Sequence, residues 1–134
     1  NYLKRMNAVS PKKIGVVGWC MGGRVALSIA VDPGNANIGA VVAFYGRPPE
    51  AEDVARIHVP VLGLFGELDK GIPVEVVQAF EEQLESRNVP HEIYIYPEAH
   101  HGFFNDTRPH IYKADAAQDA WQRTLDWFGR YLTG

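Results

Sequence analysis

Four short apolar runs alternate along this chain with segments whose apolar residues fall on one helical face, and no other feature restricts the fold as much. The runs are Ile14–Gly18, Ile38–Tyr45, Val59–Phe65 and His91–Tyr96, the last with two-residue alternation. Their length and their richness in β-branched and aromatic residues suit a pleated surface better than a helix. Met21–Val31 is a mostly apolar helical stretch closed by Asp32-Pro33-Gly34, a turn sequence that stops a helix. Val74–Ser86 repeats Val76, Val77, Phe80 and Leu84 at helical spacing. Near the end, Ala114, Ala117, Trp121, Leu125, Phe128 and Leu132 recur at three or four residues. That spacing predicts a helix laying a wide apolar stripe on something flat. Strand, helix, strand, helix predicts parallel strands joined by right-handed crossovers, hence an α/β chain of three α/β/α layers around a mainly parallel sheet.

The 134 residues suit one domain, and they contain no repeat, low-complexity tract or linker that would divide them, so residues 1–134 are read as one unit. An apolar content of 46% is too high for disorder. With a net charge of −3 and 13 scattered Lys and Arg, the chain offers no concentrated basic surface for nucleic acid. No apolar run approaches the roughly 18 residues of a membrane span, and Asn1-Tyr2-Leu3-Lys4-Arg5-Met6 is no signal peptide. A single cysteine excludes an internal disulfide and favours a reducing cytoplasm. The opening residues look like the end of a helix without an initiator methionine, and a four-stranded parallel sheet would leave one edge bare. The expectation is a piece of a larger protein, or a homodimer that completes its sheet.

The sharpest chemical signal is Gly18-Trp19-Cys20-Met21-Gly22-Gly23, set between an apolar strand and an apolar helix. It matches the nucleophile elbow G-x-S-x-G with cysteine in place of serine. Such a turn strains the backbone of the nucleophile, and the glycines two residues before and after are expected to avoid collision. The sulfur then stands at a helix N-terminus, where free N–H groups favour thiolate and oxyanion, with the Met21 backbone N–H as one oxyanion donor. Asp69 lies directly beyond the third run and His101 directly beyond the fourth. Ligands in open α/β sheets bind beyond the carboxyl ends of the strands, so these residues are expected to meet on one rim. A thiol needs a histidine base, and the base needs a carboxylate to orient it. The order nucleophile, acid, histidine is that of the α/β-hydrolases. His100 competes as the base, Glu67 and Glu98 as the acid. Without catalysis, Cys20 is a small core hydrophobe, Asp69 a turn residue and His101 an ordinary loop histidine.

Three segments together, Gly18-Trp19-Cys20-Met21-Gly22-Gly23, Gly66-Glu67-Leu68-Asp69 and His101-Gly102-Phe103-Phe104-Asn105-Asp106, resemble the dienelactone hydrolase family of α/β-hydrolases, from about Lys12 to the last helix. The resemblance implies Cys20 as nucleophile, His101 as base and Asp69 as orienting acid. It also implies hydrolysis of lactones and esters through an acyl-enzyme, in the cytoplasm, without metal or organic cofactor. The family's full domain has further strands ahead of the elbow, which supply a second oxyanion donor and a glutamate that restrains the thiol. Dienelactone-specific members place an arginine shortly after the histidine, where this chain has Asn105, Asp106 and Thr107, with Arg108 next.

Around this core, Trp19, Met21, Phe103 and Phe104 are candidates to line a substrate pocket, each with plain packing as the alternative. Arg47, with Tyr45 at the end of the second run, is placed to meet an anionic substrate. Arg24 either lowers the thiol pKa or forms a solvated salt bridge, and Glu81, Glu82 and Glu85 read as a solvated helix face. His91, His100, His101 and His110 lack the partners of a metal site, and no phosphate-binding glycine motif is present. The leading expectation is a Cys-His-Asp hydrolase acting on a small ester or lactone. The competing ones are a non-catalytic scaffold that assembles as a dimer, and a glutamine-amidotransferase-like chain, for which the usual histidine–acid spacing is missing.

Overall fold

A computed structural model of the protein describes residues 14–32, 38–101 and 114–132. Strands β1 (Ile14–Trp19), β2 (Ile38–Phe44), β3 (Val61–Gly66) and β4 (His91–Tyr96) lie side by side in chain order, each neighbouring pair parallel. Between and after them run helices α1 (Met21–Val31), α2 (Ala51–Val54), α3 (Val74–Ser86) and α4 (Ala114–Leu132). The bounds of α1, α3 and β4 coincide with those read from periodicity, and the expected last helix occupies the described residues 114–132. The single turn α2 follows Pro48-Pro49 and had no periodic signal of its own.

The pleat sorts the apolar residues of each strand to alternate faces. Val41, Ala43 and Val61 meet Ala26, Leu27 and Ala30 of α1 and Phe80 and Leu84 of α3. Ala40, Val42, Phe44, Leu62 and Leu64 meet Ala116, Ala120 and Trp127 of α4. Every residue of β3 is buried, and so is all of β2 beyond Ile38, which is why these runs read as continuously apolar. In β4 the first five residues are only half-buried, so its alternation marks an edge of the sheet rather than one wet face.

Helix α3 ends in a Schellman turn. Asn88 adopts φ 57°, its N–H bonds Glu85 O at 3.0 Å, and Val89 N–H bonds Leu84 O at 3.2 Å. Val89 and Leu84 then pack in the same cluster, the apolar contact that accompanies this cap.

The apolar face of α4 differs from the expectation. Its buried residues are Ala116, Ala117, Ala120, Thr124 and Trp127, whereas Ala114 is exposed and Trp121 and Leu125 remain 42% and 48% exposed. Phe128 and Leu132 pack at the margin. The small residues let the helix lie close to the sheet, and Thr124 can be buried because its hydroxyl donates to Ala120 O at 2.8 Å. Polar anchors tie the same helix to the edge strand. Tyr96 Oη donates to Asp119 Oδ2 at 2.6 Å, and Arg123 Nε donates to the same oxygen at 2.6 Å. Arg123 also hydrogen-bonds Glu92 and stacks on the Tyr94 ring, 4.1 Å from its centroid. No helix among the described residues is long and apolar enough to cross a membrane.

Candidate active site

Register brings the strand ends together. Trp19 stands opposite Phe44, Phe44 opposite Leu64, and Gly66 opposite Tyr96. The residues that follow each strand therefore emerge on one rim, and the sequence-derived candidates meet there.

Cys20 forms the turn from β1 to α1 at φ 55°, ψ −120°, a region sparsely populated by non-glycine residues. The turn is pinned on both sides. Cys20 N–H donates to Phe44 O at 3.1 Å, and Cys20 O accepts from Gly23 N–H at 3.0 Å and Arg24 N–H at 3.2 Å. Two of the three glycines are close approaches of backbone to backbone. A Cβ on Gly18 would sit 2.1 Å from Gly22 O, and one on Gly23 would sit 2.8 Å from Phe44 O. Gly22 differs from the expectation, because a Cβ there meets nothing within 4 Å among the described residues. The steric requirement thus falls on Gly18 and on the contact of α1 with the end of β2. Cys20 is exposed, at a helix N-terminus whose first amides lack intrahelical acceptors. Among the described residues no backbone carbonyl outside the helix takes the Met21 N–H, the amide expected as an oxyanion donor.

Asp69 is buried, 4% exposed, and its carboxylate is satisfied from three directions. Oδ1 accepts from Gly71 N–H at 2.9 Å and Ile72 N–H at 3.1 Å, and Oδ2 lies 2.6 Å from His101 Nδ1. A carboxylate so placed accepts, so Nδ1 carries a hydrogen and donates it to Asp69. The imidazole is about half exposed and rests against the Tyr45 ring at a centroid separation of 5.0 Å. The loop that carries it is held from β3: Glu67 Oε1 accepts from Glu98 N–H at 2.9 Å, and Leu68 N–H donates to Ala99 O at 2.8 Å. Glu67 therefore braces the histidine loop, Glu98, at φ 60°, provides the braced amide, and the carboxylate in contact with His101 is that of Asp69. His100 lines an adjoining groove with Glu67 and Glu75, which shares Asp69 and Lys70 with the cleft of Cys20 and His101, while the ring bonded to Asp69 is that of His101.

Cys20, Asp69 and His101 line one open cleft of about 440 Å³, together with Met21, Tyr45 and three cations, Arg24, Arg47 and Lys70. Lys70, Gly71 and Ile72 of that lining went unmarked in the sequence, although their place directly after Asp69 and β3 was a signal. Trp19 is outside the lining and stacks on Phe44 with ring centroids 5.1 Å apart. Phe103 and Phe104 lie outside the described residues. No group of three or more His, Cys, Asp or Glu side chains among the described residues is placed to hold a metal ion.

A parallel sheet with helices on both faces and an elbow, an acid and a histidine beyond the ends of β1, β3 and β4 defines the α/β-hydrolase class. Within it, the model of the dienelactone hydrolase family matches residues 1–132, and the chain belongs to that family. A candidate carboxymethylenebutenolidase of Yersinia pestis is 42% identical over 130 residues, covering 90% of this chain and 48% of that protein. Another, from Escherichia coli O157:H7, is 39% identical over 129 residues, 89% of this chain and 46% of that protein. The crystal structure of a candidate dienelactone hydrolase from Klebsiella pneumoniae superposes with a TM-score of 0.80 at 35% identity, over 87% of this chain and 52% of that one. The chain spans about half the length of the curated relatives it matches.

Proposed function

We propose that this chain carries the nucleophile, base and acid of a hydrolase that opens ester or lactone bonds through an acyl-enzyme. The observation that carries the reading is the 2.6 Å contact of Asp69 Oδ2 with His101 Nδ1 in the cleft that Cys20 also lines. In this mechanism His101 Nε2 takes the thiol proton as Cys20 Sγ bonds the acyl carbon, and the carbonyl electrons move onto oxygen. The oxyanion is met by the Met21 N–H and the positive end of α1. The tetrahedral adduct collapses, its C–O bond breaks, and the leaving oxygen takes the proton from His101. Water, deprotonated by the same nitrogen, then attacks the thioester, and the sulfur leaves with its proton restored. Asp69 keeps Nδ1 protonated and stabilises the imidazolium at both stages.

The proposed substrates are lactones of the kind named for the curated relatives, together with activated esters. Their enolate and aryloxide leaving groups depart more readily than an amine, which suits a thiolate nucleophile. Arg24, Arg47 and Lys70 supply a positive field for an acid-bearing substrate, and a reducing cytoplasm would keep the Cys20 thiol reduced. In the full-length protein, an activated aryl ester should give a stoichiometric burst of aryl alcohol. Cys20→Ala should lose the burst and at least about a thousandfold of the turnover while keeping its circular dichroism. A burst that survives in Cys20→Ala would refute the assignment.

A further inference from the structure

We propose that Arg47 is a positioning residue for the acid–base pair, holding the loop that aims Asp69 at His101; the inference rests on the roles proposed above for those two residues. Arg47 lies just beyond β2, the strand next to β3, and lines the same cleft as the loop that follows β3. Its Nη1 donates to Gly71 O at 2.8 Å. The same peptide group, on its other side, donates the Ile72 N–H to Asp69 Oδ1 at 3.1 Å. In a trans peptide the C=O and N–H point in opposite directions, so Arg47 and Asp69 grip one peptide plane from two sides. The next amide back, Gly71 N–H, also goes to Asp69 Oδ1, at 2.9 Å.

The consequence is directional. Both loop amides fall on Oδ1, which turns Oδ2 toward His101 Nδ1 at 2.6 Å. Glycine at position 71 brings no side chain to wedge this peptide in place, and even an added Cβ would come no nearer than 3.5 Å to Asp69 Oδ1. A hydrogen bond between an exposed arginine and an exposed carbonyl adds little to global stability, because ordering the long side chain offsets it. Its effect therefore falls on the loop and, through Asp69, on the imidazole. The planar guanidinium suits such a fixed span better than a flexible ammonium.

Arg47 also lines the cleft with Arg24 and Lys70, so gripping substrate charge is the rival role, and kinetics separate the two. The test compares wild type, Arg47→Lys and Arg47→Met in the full-length protein, with a neutral aryl acetate and an anionic aryl hemisuccinate. It also follows the far-downfield proton resonance of His101 Nδ1–H. A positioning role lowers kcat for both esters about tenfold in Arg47→Met, holds KM for the acetate within about twofold, and weakens the imidazole resonance. Arg47→Lys keeps the charge and falls between. Unchanged kcat for the acetate with an intact resonance overturns the proposal, whether or not KM for the hemisuccinate rises. If the wild type turns over neither ester, the hydrolase reading fails separately, and the resonance alone still decides whether Arg47 holds the pair.

Discussion

Cys20 at φ 55° is held in a sparsely populated conformation by its neighbours, and the glycines around it do not share that task equally. The Gly18 α-carbon faces the Gly22 carbonyl so closely that an added methyl would lie 2.1 Å from the oxygen and 2.3 Å from the carbon. Backbone cannot yield as a flexible side chain can. Gly18→Ala should therefore destabilise the protein by about 3 kcal/mol or more, whereas Gly22→Ala, in open space on the first turn of α1, should be neutral or stabilising by up to about 1 kcal/mol. Denaturant titration of the two variants checks this, and equal losses would contradict it. The motif made both glycines visible in the sequence. Which of them is sterically required depends on how α1 leans over the strand ends, and no spacing rule contains that angle.

At the scale of elements, apolar periodicity located the strands and helices well, because a half-buried helix repeats every three or four residues and a buried strand does not. The same signal placed Ala117, Phe128 and Leu132 of α4 against the sheet, as found, but put Trp121 and Leu125 there too. Trp121 and Leu125 stand four apart and imitate a stripe, but the surface that meets the sheet is built from Ala116, Ala117, Ala120 and Thr124, residues that hydropathy ranks low. Close approach of the helix favours small side chains there, with Trp127 filling the end. The Tyr96–Asp119–Arg123 cluster on this helix sets a pH dependence. The hydrogen bond from Tyr96 holds the Asp119 carboxyl below the usual carboxylate range; burial opposes this and Arg123 reinforces it. Burial and the bond to Asp119 raise the Tyr96 phenol well above its ordinary value. For Arg123, burial pulls downward, but the bond and charge of Asp119 outweigh it, so the guanidinium stays charged. A carboxyl depressed in the folded state adds stability above its unfolded pKa and loses it as pH falls through the folded one. Wild type should thus exceed Asp119→Asn in unfolding free energy at neutral pH, and the gap should close as the acid range is entered. A gap independent of pH would remove Asp119 from the account.

Over the whole molecule, the parallel register carries the segments beyond all four strands to one rim. That is why Asp69 and His101, both legible as residues directly beyond apolar runs, meet at 2.6 Å across 32 positions of sequence. What the sequence did not disclose depends on how the loops close over one another. The bond from Arg47 to Gly71, the place of Lys70 in the cleft and the contact of Tyr45 with the imidazole all arise between loops of different strands. Net charge was equally uninformative, since a chain at −3 gathers Arg24, Arg47 and Lys70 around its cleft. The acyl-enzyme mechanism stands or falls on where an acyl group lands. A slowly turned-over aryl ester, quenched with acid within the burst and followed by peptide mass mapping of the full-length protein, tests this most directly. One hydroxylamine-labile acyl group on Cys20, formed at the burst rate, is the predicted result; turnover that leaves Cys20 unmodified, or an acyl group on a serine instead, would contradict it.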